Sequence, residues 1–103
     1  MLKDQEQLLD EAIQYMRDLE PVLELALTHE AETEYGYDIA FADAVEATTA
    51  TNDLKRKSDA TLKARRELEA FLKAKSSSKF IQIKMKNAQQ ATSAYQSLLR
   101  RTE

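Results

Sequence analysis

Apolar residues recur at helical spacing along almost the whole chain. They return every three or four residues from Leu8 to Leu19 and again from Val22 to about Thr48. A second series runs from Leu54 to Arg101, a stretch that contains neither Gly nor Pro. This spacing places the apolar side chains on one face of a helix and the polar ones on the other. The pattern therefore predicts long amphipathic helices.

Capping residues mark where these helices begin. Asp4 with Gln7 three positions later matches a capping box. Residues 48–53, Thr-Thr-Ala-Thr-Asn-Asp, form the clearest turn signal, with Thr51 or Asn52 as the N-cap of the next helix. We predict a single helical domain over residues 1–103, with an acidic arm at 4–48, a turn at 49–53 and a basic arm at 54–101.

Two places could interrupt the arms. Pro21 predicts a break or a kink, which would leave a short kinked N-terminal helix before it. At Ser76–Ser78 the apolar pattern shifts phase, but serine lowers helix propensity only modestly, so we expect the helix to continue. The predicted fold is all-α, a long, coiled-coil-like antiparallel helical hairpin. The alternative is a four-helix bundle that folds back at both places.

The hairpin should bury little core, because each helix has only one neighbour. In the basic arm, Leu54, Thr61, Leu68 and Leu72 follow a rhythm of roughly seven residues, typical of a packed face. We expect five aromatic side chains to anchor helix packing rather than to bind a ligand. They are Tyr35, Tyr37, Phe41, Phe80 and Tyr95. Apolar residues on a second face predict a homodimer or a higher oligomer.

The net charge of −3 conceals a strong asymmetry. Residues 1–51 carry 13 acidic and 2 basic side chains, a net of −11, and residues 52–103 carry 13 basic and 5 acidic ones, a net of +8. Either the two arms neutralise each other, or the basic arm binds an external polyanion. A basic stripe can track a phosphate backbone without reading sequence. The predicted nucleic-acid-binding residues are Lys55, Arg56, Lys57, Lys63, Arg65, Arg66, Lys73, Lys75, Lys79, Lys84 and Lys86.

The residues needed for most catalytic chemistry are scarce. With no Cys, one Gly and one His, the chain has no thiol nucleophile, no glycine-rich phosphate loop and no multi-histidine zinc site. His29 shares a helix face with Glu32, but no further ligand follows at a diagnostic spacing. We therefore expect no catalytic residue, no cofactor, no metal and no enzymatic activity. The polar N-terminus and the lack of a long apolar run predict a cytoplasmic protein without a membrane partner.

Several segments together resemble small helical phage and prophage proteins. They are EAETEYGYDIAFADAVEA, with Glu-x-Glu-Tyr at Glu32 to Tyr35, then TTATNDLKRKSDA, ARRELEAFLKAKSS and NAQQATSAYQSLLRR. The resemblance covers roughly residues 25–101. Such proteins are commonly encoded in recombination and replication modules, and the chain is also faintly similar to phage mediators that load a recombinase on single-stranded DNA. The resemblance implies an accessory of DNA metabolism in the cytoplasm of a bacterial host.

Three hypotheses for the function follow from these patterns. The first is a non-enzymatic accessory of DNA recombination or replication, whose basic helix binds single-stranded DNA or a recombination or nuclease protein. In the second, the acidic arm binds a basic surface of a nucleic-acid enzyme, as an interaction module or inhibitor. The third is a scaffold whose charges serve only its own oligomer. Binding to DNA, and its dependence on salt, separates the three.

Overall fold

A computed structural model describes residues 4–102, which form three helices and no strand. The helices are α1 (Gln5–Ala47), α2 (Asp53–Lys63) and α3 (Arg65–Thr102). Hydrogen bonds join Met16 to Thr92 and Glu30 to Ser78, so α1 and α3 pair in antiparallel directions. The predicted all-α helical hairpin is therefore confirmed, and the alternative four-helix bundle is wrong.

Both predicted helix starts are capped as expected. The Gln7 N–H donates to Asp4 Oδ1 at 2.8 Å, and the Asp4 N–H donates to Gln7 Oε1 at 3.2 Å, which completes the capping box. Asn52, rather than Thr51, is the N-cap of α2, and its Oδ1 accepts from the Lys55 N–H at 2.8 Å. The intervening turn agrees with the prediction to within two residues.

Neither Pro21 nor Ser76–Ser78 divides a helix, so the predicted break at Pro21 is wrong. α1 continues through Pro21, so the short N-terminal helix does not exist as a separate element. α3 continues through Ser76–Ser78, as expected. The basic arm is broken instead at Ala64, where φ is −93° and ψ is 17°. The Ala64 N–H still donates to the Ala60 carbonyl at 2.9 Å, so the departure from helical geometry is local.

Residues of low exposure recur along α1 and α3 at alternating spacings of three and four, as in a coiled coil. We call them the seam. On α1 the seam comprises Leu9, Ala12, Met16, Leu19, Leu23, Ala26, Glu30, Thr33, Tyr37, Ala40 and Ala44. On α3 it comprises Phe71, Ala74, Ser78, Ile81, Met85, Ala88, Thr92, Tyr95 and Leu99.

The predicted seven-residue row in the basic arm is wrong. Leu54 is 78% exposed, and Thr61 and Leu72 are also exposed, whereas Leu68 is half-buried. Alanines take the buried positions instead: Ala60, Ala64 and Ala74. From Ala60 to Ala74 the buried and half-buried positions are spaced by four, four, three and three residues before regular alternation resumes. The break at Ala64 lies within the four-residue spacing and occurs without Gly or Pro.

The chain divides into two compact units. The terminal unit contains the residues up to Leu25 and those from Lys79 onward, and its seam includes the Thr92 hydroxyl at 3.3 Å from Met16 Sδ. The turn unit is Ala26–Ser78, and in its seam the Ser78 hydroxyl donates to Glu30 Oε1.

The turn unit carries further contacts around the chain reversal. Thr48 Oγ1 donates to Asp59 Oδ2 at 3.0 Å, which ties the end of α1 to α2. Tyr37 and Phe41 are half-buried with ring centroids 5.9 Å apart, so their predicted role in packing is confirmed. The same prediction is wrong for Tyr35, which is 69% exposed because it lies outside the seam.

Candidate nucleic-acid interface

Most of the predicted binding residues lie at the surface. Nine of the eleven are exposed, and only Arg56 and Lys84 are half-buried. The Arg56 guanidinium donates to the Val45 carbonyl at 3.4 Å, so this side chain links α2 to the end of α1. The nine exposed side chains stay predicted binding residues that a ligand can reach, whereas the position of Arg56 is explained by its contact at the turn.

On α3 the cations form two rows on the side away from the seam. Arg65, Lys79 and Lys86 occupy one row at multiples of seven residues, and Leu72 fills the remaining position. A second row, one residue further on, contains Arg66, Lys73 and Phe80. We call these two rows, together with Ile83 between them, the outer face of α3. Successive positions in a row are separated by about 10 Å along the helix.

The other exposed cations flank this face. Lys55, Lys57 and Lys63 lie on α2, and Lys75 lies on α3 with its Nζ over the Phe71 ring at 5.9 Å from the centroid. Arg65 Nε lies 3.0 Å from Glu69 Oε1 one turn away on the same helix. Both of these side chains are largely exposed, so the ion pair contributes little to folding and a phosphate can displace it.

The acidic arm also keeps its charge at the surface. Of the carboxylates in α1, only that of Glu30 lies in the seam, and the rest are exposed. Glu30 accepts a hydrogen bond from the neutral hydroxyl of Ser78. Apart from Glu30, the seam is thus built from apolar and small polar side chains, and exposed charge on both arms faces solvent, where a partner can reach it.

Exposed apolar side chains interrupt the cations on the outer face. Phe80 is 59% exposed, and Leu72 and Ile83 are about half exposed. The prediction that Phe80 packs in the core is therefore wrong, whereas Tyr95 is half-buried in the seam as expected. Lys84 Nζ lies 4.6 Å from the centroid of the Phe80 ring. The position within the seven-residue repeat could have identified these exposed residues. For example, Leu72 directly follows the seam residue Phe71 and therefore points away from the seam.

Other classes of site have little support in residues 4–102. That part of the chain brings together no group of three or more His, Asp or Glu side chains able to hold a metal ion. Nor does any of its helices contain an apolar stretch of the length that crossing a bilayer requires. Among the described residues, the exposed cations of the basic arm remain the strongest candidate for a ligand-binding site.

Comparison of the chain with models of protein families, with curated proteins and with solved structures gives no match. The case for a function therefore rests on the placement of the chain's own side chains.

Proposed function

We propose that the chain is a non-enzymatic, phage-type accessory protein of DNA recombination or replication. It binds single-stranded DNA, and the outer face of α3 is the binding surface. The observation that carries this proposal is the exposure of five cations in two rows on one helix face: Arg65, Arg66, Lys73, Lys79 and Lys86. Cations arranged in this way release counterions from a phosphate backbone without reading its sequence.

The exposed apolar side chains favour a single strand over a duplex. Unpaired bases stack on aromatic rings, and each such contact contributes about 1–3 kcal/mol. Phe80 lies in the second row, one residue after Lys79 of the first, so a backbone held by the cations has a ring within reach of its bases. In a duplex the same base surfaces are already stacked on one another, so Phe80 adds nothing to duplex binding.

Fluorescence anisotropy with a labelled single-stranded oligonucleotide tests the proposal. We expect binding at micromolar protein in 50 mM salt, with an affinity that falls steeply as salt is raised. If all five cations contact phosphates, the slope of log K against log salt is about −3.5. The absence of binding in 50 mM salt would refute the proposal.

Two matched pairs of variants locate the surface. Lys79→Gln should weaken binding and make the salt slope shallower by about 0.7, whereas Arg17→Gln, which removes the same charge from the acidic arm, should do neither. Phe80→Ala should weaken binding to the single strand by about tenfold and leave duplex binding unchanged. Ile39→Ala, which truncates an exposed apolar residue of α1 outside the outer face, is its control. Equal effects within either pair would exclude the outer face as the binding surface.

The exposed carboxylates of α1 favour a second candidate function, in which the acidic arm binds a basic surface of a recombination or nuclease protein. This candidate predicts that the purified chain lowers the activity of that enzyme on DNA. Glu32→Gln with Glu34→Gln should restore the activity, whereas Lys79→Gln should not. A chain that leaves DNA enzymes unaffected and binds the oligonucleotide supports the first function.

A further inference from the structure

A groove of about 410 Å³ opens between α1 and α3 within the terminal unit. Its apolar lining comes from Leu8, Ala12, Tyr15, Ala88, Ala91 and Tyr95. Tyr15 is 46% exposed although it borders the seam, and its apolar row continues at seven-residue spacing from Leu8 through Tyr15 to Val22. On α3 the corresponding row contains Lys84, Ala91 and Leu98, and Lys84 also lines the groove. Both rows lie on the same side as the groove, and together we call them the groove face.

We propose that a second copy of this chain docks on the groove face, with α1 of each copy lying against α3 of the other. The arrangement is isologous, because the same face of both copies is used. The terminal units of the two copies together form a four-helix bundle, in which Leu8, Tyr15 and Leu98 become interior residues.

Exposed apolar side chains on the groove face are the first reason for a second copy. Tyr15 and Val22 are each 46% exposed, and Leu98 is 41% exposed. A standard protein–protein interface covers about 800 Å² on each partner. These large apolar residues supply an apolar centre for an interface of that size.

Charge is the second reason, and it fixes the orientation. In the terminal unit, residues 4–25 of α1 and its cap carry seven acidic side chains and one basic one, whereas residues 79–102 of α3 carry five basic and no acidic ones. Two faces related by a two-fold axis meet either with α1 on α1 or with α1 on α3. The first arrangement places like charges together, and the second places opposite charges together. The surface is thus complementary to itself.

Sedimentation velocity of the full chain between 1 and 200 µM tests the dimer. We expect a mass twice that of one chain at the upper end of the range. Tyr15→Glu and, separately, Leu98→Glu should raise the dimer dissociation constant at least 100-fold, because each buries a charge in the apolar centre. Tyr35→Glu, at an exposed tyrosine of the turn unit, should change it less than threefold. Far-UV circular dichroism establishes that each variant remains helical.

Cross-linking between single introduced cysteines tests the orientation, since the chain has no Cys of its own. With α1 on α3, a two-fold axis parallel to the helices brings Tyr15 of one copy opposite Ala91 of the other. A mixture of Tyr15→Cys and Ala91→Cys chains should therefore form a disulfide-linked dimer, in preference to either variant alone.

Three results would overturn the inference. One is a monomer at 200 µM, and another is a dimer that persists in both glutamate variants. The third is preferential cross-linking of Tyr15→Cys chains to one another. None of these measurements involves DNA, so the inference can fail while the proposed function stands, and the reverse also holds.

Discussion

The two units use different side chains to pack their helices against one another. In the terminal unit the seam is made largely of long apolar residues, among them Leu19, Leu23 and Met85. In the turn unit the most buried residues are small: Ala44, Ala60, Ala64, Ala74 and Ser78. The distance between helix axes depends on the side chains at the contact. We therefore infer that burial of large side chains stabilises the terminal unit, whereas close approach of the helices stabilises the turn unit.

Hydrogen bonds between segments reinforce this difference. In the turn unit, Thr48 bonds to Asp59, Arg56 bonds to the Val45 carbonyl, and Ser78 bonds to Glu30. In the terminal unit, the Thr92 hydroxyl makes a weak hydrogen bond to the Met16 thioether. Small side chains bury little apolar area. In the turn unit, polar contacts therefore contribute more to specifying how the helices pair.

The largest effect on stability is expected from shortening a long seam residue in the terminal unit. Leu19→Ala removes a buried side chain and leaves a cavity, which should lower the free energy of unfolding by about 3 kcal/mol. Urea denaturation followed by circular dichroism at a fixed protein concentration measures this loss.

Leu25→Ala is the matched control for that substitution. Leu25 lies six residues later on the same helix and is 71% exposed, so its truncation should change the free energy of unfolding by less than about 0.5 kcal/mol. Similar losses for Leu19→Ala and Leu25→Ala would contradict the seam assignment in the terminal unit.

The sequence was sufficient for the helices and their caps because those depend on local residues. The Asp4–Gln7 capping box and the Asn52 cap bond as predicted, and α3 runs through the three serines. The break at Ala64 could not be found in this way, since Ala is the best helix former. Ala64 is buried, and its backbone departs from helical geometry at a position that no local residue signal marks.

The site was predicted less completely for a similar reason. Charge patterning alone located the basic arm, and nine of its eleven chosen cations are exposed. Which face they share depends on the seam, and the seam was misplaced because alanines and Ser78, rather than leucines, occupy it. With the row of Leu54, Thr61, Leu68 and Leu72 taken as the packed face, the exposure of Phe80 could not be foreseen. The large leucines of the basic arm were expected to be buried, whereas the small alanines are buried instead.

An intermediate effect is expected from enlarging a seam residue of the turn unit. Ala74→Leu inserts a long side chain where the seam is lined with small ones, and overpacking should lower the free energy of unfolding by about 2 kcal/mol. Ala70→Leu introduces the same side chain on an exposed face of the same helix and should be nearly neutral. If Ala74→Leu is instead neutral or stabilising, the turn unit has room for large side chains and the contrast between the units fails.

The smallest effect is expected at the polar pair of the turn unit. Ser78→Ala removes the hydroxyl that donates to Glu30 and leaves a half-buried carboxylate without that donor, at a cost of about 1 kcal/mol. Ser77→Ala changes the same residue type at an exposed neighbouring position, so it measures the gain in helix propensity alone. The difference between the two free energies of unfolding, from parallel urea titrations, isolates the contribution of the hydroxyl. A Ser78→Ala chain as stable as the Ser77→Ala chain would mean that the hydrogen bond to Glu30 contributes nothing to the stability of the turn unit.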